Sequence, residues 1–191
     1  MQATNSIFIL SDEHNRDLLG CAGDPVVKTP TFDRLAKEGA LFEHAFVSSP
    51  SCTPSRAAIV TGQWHWRLEE SANLWSTLQK TFPVYPDLLA DAGYHVGYTR
   101  KGWGPGKIGV GGRTQNPAGK NYKNSKQFID VRPKDQPFCF WFGSSDPHRG
   151  YKLGSGKASG MDLSKIRLPA CFPDSEKVRG DVADYYFEVQ R

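Results

Sequence analysis

The chain has 191 residues, enough for one domain with a sizeable core or for part of a larger one. Hydrophobic residues make up 38% and charged residues 23%, which argues against intrinsic disorder. The net charge of +4 is a mild excess that suggests anionic partners, and residues 100–134 carry nine Lys or Arg side chains against one acid. Solvation, a sulfated glycan or nucleic acid would each fit that basic run.

The first elements in the chain are a strand and a capped helix. SIFIL, residues 6–10, is a short apolar run that predicts a buried strand. Thr29 then serves as N-cap, Pro30 as the first helical residue and Gly39 as the stop of a helix. The order strand then helix is typical of α/β proteins.

The same arrangement returns later in the chain. Pro86 opens a helix that Gly93 closes, and residues 94–99, YHVGYT, follow as a strand. Residues 138–145, FCFWFGSS, form the most strongly predicted strand, an apolar and aromatic run. Helices that alternate with apolar strands predict a largely parallel, doubly wound sheet.

Two segments do not fit this alternation. Residues 101–126 are Gly-rich and basic, and we expect a structureless loop that is either functional or poorly ordered. The last helix begins at Ser175 and presents an apolar face without a C-cap signal at Arg191. That face is formed by Val178, Val182, Tyr185 or Tyr186, and Val189. Because nothing follows to cover it, we expect a truncated chain.

The spacing of the four cysteines, the length of the hydrophobic stretches and the first residues of the chain exclude some classes of protein. Cys21, Cys52, Cys139 and Cys171 show neither zinc-site nor disulfide-framework spacing. No stretch is long enough to span a membrane. The start, MQATNSIFIL, has no basic leader or cleavage site, so we expect either an intracellular protein or a signal segment missing from this sequence.

Polar side chains follow three of the predicted strands. In open α/β sheets, ligands bind beyond the carboxyl ends of the strands, where the loops converge. A carboxylate pair there is more often a cap or an ion-pair partner, and a histidine in a turn is usually only hydrogen-bonded. The strand ends deliver Asp12 and Glu13, then Arg100 and Lys101, then Asp146, Pro147 and His148.

A cysteine adds to this group. Thr53 is the predicted N-cap and Pro54 the first residue of a helix that Gly62 ends, so Cys52 lies at the positive end of the helix dipole. Arg56 lies about one turn further, and both effects stabilise negative charge.

Three interpretations of this cysteine remain open. It is a small buried residue before a capped helix, or a nucleophile of the Cys–His type with His148 as base, or a group that acts on a bound anion. Arg56, Lys101 and the carboxylate pair favour the last.

Residues 52–62, CTPSRAAIVTG, resemble the sulfatase motif C/S-x-P-S/A-R-x-x-x-x-T-G. Residues 8–52, 92–106 and 144–151 resemble the sulfatase N-terminus, the segment of the sulfate-binding lysine and the segment of the second catalytic histidine. DPHR, within the last of these, is similar to heparan N-sulfatases. The resemblance implies an α/β, alkaline-phosphatase-like fold with a mixed, mostly parallel sheet flanked by helices. It covers only the N-terminal portion of a catalytic domain, residues 1–191, with the C-terminal part absent.

The resemblance implies a modified nucleophile. A maturation enzyme would read Cys52, Pro54, Ser55 and Arg56 and oxidise Cys52 to formylglycine. The hydrated aldehyde would attack the sulfur, and its second hydroxyl would release sulfate. A thiol precursor thus becomes a nucleophile that regenerates itself.

The resemblance also implies a metal and a set of catalytic side chains. Ca²⁺ or another divalent metal would be held by Asp12, Glu13 and the formylglycine oxygen, since hard oxygen ligands suit that ion. The catalytic side chains would be Arg56 to steady the diol, Lys101 to bind sulfate, and His148 to protonate the leaving group.

The chain departs from the family pattern at several positions. The family commonly has two aspartates where this chain has Asp12 and Glu13, and a helper histidine after the lysine is missing, for which His65 could substitute. The family's other metal ligands and a second lysine lie beyond the matched region. We therefore expect poor hydrolysis by this chain alone.

The implied function is hydrolysis of an O- or N-sulfate on a sulfated sugar or glycosaminoglycan, in the periplasm or after secretion. The implied partners are that carbohydrate and the maturation enzyme, with no nucleic acid. A phosphodiester or phosphonate monoester hydrolase and a non-catalytic glycan-binding remnant are the alternatives.

Overall fold

A computed structural model describes residues 4–191 of the chain. These residues form two compact units, the first made of the segment up to Leu10 with Ala45–Ser144 and the second of Ser11–His44 with Ser145–Arg191. Part of the prediction about a leader falls on residues 1–3, outside the described residues. Among the described residues, no helix combines the length and the apolar character needed to cross a bilayer.

The first unit contains a four-stranded sheet. The strands are β1 (Ser6–Leu10), β2 (His95–Arg100), β3 (Lys120–Asn121) and β4 (Phe138–Gly143). Their order in space is β1-β4-β2-β3, and every neighbouring pair is parallel. The predicted parallel sheet is confirmed, with the aromatic strand β4 at its centre.

The helices have the following bounds. They are α1 (Pro30–Glu38), α2 (Cys52–Thr61), α3 (Tyr85–Asp91), α4 (Ser125–Val131), α5 (Ser155–Ala158) and α6 (Glu176–Gln190). Short 3-10 turns lie at Gly20–Ala22, His65–Arg67, Glu69–Ala72, Gly109–Gly111 and Leu163–Lys165. The predicted bounds of α1 are confirmed, with Thr29 as N-cap and Gly39 as C-cap.

Side chains from both faces of the sheet pack into cores of the first unit. On one face Trp141 of β4 packs edge-on against Phe8 of β1, with ring centroids 4.8 Å apart, in a core shared with α2. On the other face Phe140 packs against Phe128 of α4, with centroids 4.4 Å apart. Helices therefore cover both faces, as a doubly wound sheet requires.

The prediction that β1 is buried is wrong. Ile7 and Ile9 are 63% and 58% exposed, although Phe8 packs in the core. The strand lies at the edge of the sheet, and only one of its alternating faces is covered. An unbroken apolar run does not distinguish such an edge strand from a central one.

The segment 101–126 is not structureless as predicted. It contains the turn Gly109–Gly111 and strand β3, and α4 begins at Ser125. Arg113 organises it, because this buried guanidinium donates hydrogen bonds to the carbonyl oxygens of Leu78, Gln79 and Phe82 and pairs with Asp87 at 3.1 Å. The hydrogen bonds of this buried arginine therefore order the segment, although its sequence shows no apolar pattern that predicts such order.

The second unit is built around α6, which the Ser175 side chain caps as predicted. Ala183 and Tyr186 are fully buried in an apolar core, and the remaining members of that core come from well upstream in the chain. These members include Leu18, Val27 and Ile166. The expectation that the last helix has nothing to pack on is therefore wrong, since its partners precede it.

Candidate active site

The carboxyl ends of β1, β2 and β4 lie at one edge of the sheet. Leu10 and Arg100 are both in register with Gly143, the last residue of β4. The ladder continues one step further, because the Ser144 amide donates to the Leu10 carbonyl at 2.8 Å and the Lys101 amide donates to the Gly143 carbonyl at 3.0 Å. Lys101, which follows β2, therefore leaves the sheet beside the end of β4.

Cys52 is the first residue of α2, and Ser51 is its N-cap. The prediction of Thr53 as N-cap is wrong by two residues, because the helix already includes Cys52 and Thr53, which precede Pro54. Gly62 ends the helix with φ of 67°, as predicted. The half-buried thiol therefore lies in the first turn of a ten-residue helix, where the positive end of the dipole acts on it.

Lys101 lies beside this thiol, with Nζ 3.3 Å from Cys52 Sγ. Arg56 is buried, with only 2% of its surface exposed. Its Nη1 donates to the carbonyl oxygens of Lys101 at 2.8 Å and Gly102 at 2.9 Å, and its guanidinium carbon lies 5.9 Å from the Trp141 ring centroid. One cation and a helix N-terminus thus lie at Cys52, and Arg56 holds the backbone of that cation, Lys101.

Sequence reasoning missed Asn116, which holds the turn after Lys101. The Trp103 amide donates to Asn116 Oδ1 at 3.0 Å, and Asn116 Nδ2 donates back to the Trp103 carbonyl at 2.8 Å. The Thr53 hydroxyl also donates to the Pro105 carbonyl. An asparagine before a proline in a Gly-rich stretch is a turn signal, and nothing in that signal indicates such a clamp.

Two of the three predicted metal ligands, Asp12 and Glu13, lie in the second unit with the predicted histidine, whereas Cys52 lies in the first. Asp12 is 6% exposed, and its amide donates to the Asp146 carbonyl at 3.0 Å. Glu13 has φ of 60°, and its Oε1 lies 3.4 Å from His148 Nε2. The structure therefore places the carboxylate of the second predicted ligand in contact with the ring of the predicted proton donor.

The donor atoms of this segment fit a divalent cation in their chemistry. Asp12 and Glu13 offer carboxylate oxygens, which are the ligands that Ca²⁺ and Mg²⁺ prefer. Asp12 is buried and belongs to a segment fixed by the backbone bond to Asp146. Glu13 keeps an exposed side chain.

Sequence reasoning also missed two side chains of α6 that contact these segments. The Tyr185 hydroxyl bonds to the backbone at Glu13 and Asn15, and Asp181 pairs with Arg149, the neighbour of His148. The hydrogen bonds from Arg149 lower the pKa of the Asp181 carboxyl below its usual range. The aromatic stripe of α6 was visible in the sequence, but the polar end of Tyr185 had no visible partner.

The basic run divides into structural and exposed members. Arg113 is buried and Lys101 lies at Cys52, whereas Lys120 lies 5.4 Å from the Tyr122 ring centroid and Lys126 pairs with Asp130. The histidine considered as a substitute helper, residue 65, is engaged with the Ser48 hydroxyl at 2.8 Å.

Comparison with known proteins identifies the family of this chain. The family model named Sulfatase matches residues 4–115. The N-acetylglucosamine-6-O-sulfatase of Bacteroides thetaiotaomicron is 27% identical over 208 residues, which is 94% of this chain and 37% of that protein. The N-sulphoglucosamine sulphohydrolase of Homo sapiens is 27% identical over 232 residues, 98% of this chain and 44% of that protein. The chain thus spans less than half the length of both relatives.

A solved structure supports the fold. A protein crystallised with its substrate D-glucosamine-2-N,6-O-disulfate superimposes with a TM-score of 0.65 and 24% identity, over 88% of this chain and 39% of that chain. At this identity the likeness confirms the predicted alkaline-phosphatase-like α/β fold.

Proposed function

Because this chain belongs to the sulfatase family, we propose that it is part of a hydrolase that removes sulfate from a sulfated sugar or glycosaminoglycan. The observation that carries the proposal is the 3.3 Å approach of Lys101 Nζ to Cys52 Sγ at the first turn of α2. A structural cysteine before a helix has no need of an ammonium group at that distance. A cysteine that acts on a bound sulfate anion does need such a positive charge nearby.

The proposal assigns Cys52 as the precursor of the nucleophile. Formylglycine, once formed from Cys52, supplies a hydrated aldehyde as nucleophile, and a bound divalent cation supplies positive charge to the sulfate oxygens. Asp12 and Glu13 would hold that cation, which we propose to be Ca²⁺. Pro54, Ser55 and Arg56 complete the segment that the maturation enzyme would read.

The remaining side chains act on the anion and on the leaving group. Lys101 binds sulfate, and the first-turn amides of α2 add their dipole to that charge. Arg56 steadies the nucleophile and, through its bonds to the Lys101 and Gly102 carbonyls, keeps the lysine backbone in place. His148 donates a proton to the leaving oxygen or nitrogen, and Glu13 orients its ring through the 3.4 Å pair.

The proposal extends to the context of the chain. Residues 1–191 would form the N-terminal portion of a sulfatase catalytic domain, which the partial match to each relative supports. The sulfated carbohydrate and a formylglycine-generating enzyme would be its partners. A periplasmic or secreted location is proposed from the family resemblance.

The test is peptide mass spectrometry of the segment that contains Cys52, after aerobic co-expression with a formylglycine-generating enzyme. We expect Cys52 to be converted to formylglycine, and Pro54→Ala, which alters the maturation segment, to abolish conversion. A thiol that stays unmodified in the wild type would contradict the proposed nucleophile. Because maturation acts on a short segment, the experiment does not depend on the rest of the active site.

A second measurement addresses the ester. The converted protein should act on an aryl sulfate faster than on an aryl phosphate diester. The reverse order of rates would favour the phosphodiesterase alternative.

A further inference from the structure

The polar face of α6 contacts both segments that carry site residues of the second unit. Asp181 and Tyr185 are four residues apart, so they lie on the same face of the helix. Tyr185 reaches the segment that contains Asp12 and Glu13, and Asp181 reaches the segment that contains His148. One helix therefore holds two segments that are distant in the sequence.

The Tyr185 hydroxyl makes two hydrogen bonds with the first segment. It accepts from the Asn15 amide at 2.8 Å and donates to the Glu13 carbonyl at 2.8 Å. A single oxygen atom thus closes the turn around residue 14.

Glu13 needs such restraint because of its backbone conformation. Its φ of 60° lies in the left-handed region, which residues other than glycine adopt only when their surroundings fix them. The bond from the Asp12 amide to the Asp146 carbonyl fixes the chain before Glu13, and the Tyr185 hydroxyl fixes it after. The direction of the Glu13 side chain depends on these bonds.

The second segment is held in a comparable way. Arg149 forms a bidentate pair with Asp181, with nitrogen–oxygen distances of 2.9 and 2.6 Å, and its guanidinium carbon lies 5.0 Å from the Tyr151 ring centroid. His148 precedes Arg149 and faces Glu13 at 3.4 Å. Both members of the Glu13–His148 pair are therefore adjacent to residues that α6 fixes.

We propose that Tyr185 is a positioning residue of the metal-binding segment: its hydroxyl holds the backbone of residues 13–15 so that the Glu13 carboxylate is presented to the divalent cation. This inference rests on the proposed function, because it takes Asp12 and Glu13 as the cation's ligands. It assigns a role to a side chain that lies outside every motif of the sequence.

The test compares Tyr185→Phe with Tyr186→Phe in the full chain. Both changes remove only a hydroxyl, and Tyr186 is a matched control because its hydroxyl contacts Asp24 at 3.3 Å instead of residues 13–15. The first readout is the rise in melting temperature during a Ca²⁺ titration, which gives an apparent affinity. The second is amide hydrogen exchange of a peptide that contains residues 12–16, without metal.

We expect Tyr185→Phe to weaken the apparent Ca²⁺ affinity about tenfold, as removal of a residue that orients a metal ligand does, and to speed exchange of the peptide. Tyr186→Phe should change neither. An affinity for Ca²⁺ equal to that of the wild type in Tyr185→Phe would overturn the inference, whatever the exchange rate.

The experiment separates this inference from the proposed function. If the wild type shows no response to Ca²⁺ while Cys52 is still converted to formylglycine, Asp12 and Glu13 do not hold the cation in this chain. The inference then falls, and the assignment of the nucleophile stands. If Cys52 is not converted, the proposed function fails by its own measurement.

Discussion

The charge of Lys101 should determine which reagents reach Cys52. Its Nζ lies 3.3 Å from the sulfur in the unmodified protein, so an anionic reagent that attacks the thiol must approach the ammonium group. Iodoacetate carries a carboxylate, and iodoacetamide is its neutral analogue. Lys101→Gln should therefore slow alkylation of Cys52 by iodoacetate more than alkylation by iodoacetamide.

The magnitude follows from Coulomb's law. A carboxylate held ~5 Å from the ammonium gains about 0.8 kcal/mol at an effective dielectric constant of ~80 and about 1.7 kcal/mol at ~40, which is roughly a 4- to 17-fold rate ratio. Because Cys52 is half-buried, we expect a rate ratio between these two values. Because salt screens such an interaction, the ratio should shrink as the ionic strength approaches 1 M.

The assay is mass spectrometry of cysteine peptides after timed alkylation with each reagent. The ratio of the two rates at Cys52 cancels any change in the reactivity of the thiol itself. Cys171, which is exposed, serves as an internal reference within each sample. Lys120→Gln is the matched control, since it removes the same charge from a side chain that lies over Tyr122.

The same ratio at Cys52 in the wild type and in Lys101→Gln would refute the reasoning. It would mean that Lys101 exerts no field on an anion at the sulfur, and its role as the sulfate-binding cation would lose its support. An equal fall in the ratio for Lys120→Gln would also refute it, because the effect would then come from net charge alone.

Two further predictions concern the first unit. Arg113→Met should lower the free energy of unfolding by about 3 kcal/mol, because it leaves three backbone carbonyls without their buried donor; urea denaturation measures this, and a loss below about 1 kcal/mol would contradict it. Burial lowers the pKa of His95 below its ordinary 6.5, so the folded state binds fewer protons than the unfolded state and loses stability as the pH falls through and below that value. Between pH 7 and pH 5 the melting temperature of the wild type should fall further than that of His95→Gln, and parallel curves would count against this assignment.

The sequence predicted the parts of the fold that depend on local signals. The bounds of α1 follow from Thr29, Pro30 and Gly39, and the aromatic run that forms β4 is apolar enough to predict a strand. The resemblance of residues 52–62 to the sulfatase motif predicted the family, which the family model supports. In each case the information lies within about ten neighbouring residues.

The errors have a common physical cause. The exposed side of β1 and the partners of α6 depend on which elements pack together, and an apolar pattern says only that a face exists. The segment 101–126 was predicted to be structureless because its order comes from Arg113 and Asn116, polar side chains that bond to backbone groups. Secondary-structure propensity and hydrophobic periodicity do not account for hydrogen bonds from side chains to the backbone.

The same distinction applies within the candidate site. The groups assigned to the chemistry, Cys52, Lys101 and His148, lie in short motifs and were predicted from them. The side chains that fix their segments do not: Tyr185 contacts Asn15 across 170 residues of sequence, and Asn116 holds Trp103 from the far side of a Gly-rich loop. A chemical role requires a particular residue type, whereas a positioning role requires only a bond of the right length from any element that packs nearby. Substitutions that change the behaviour of this site without altering a motif should therefore concentrate at residues such as Asn116 and Tyr185.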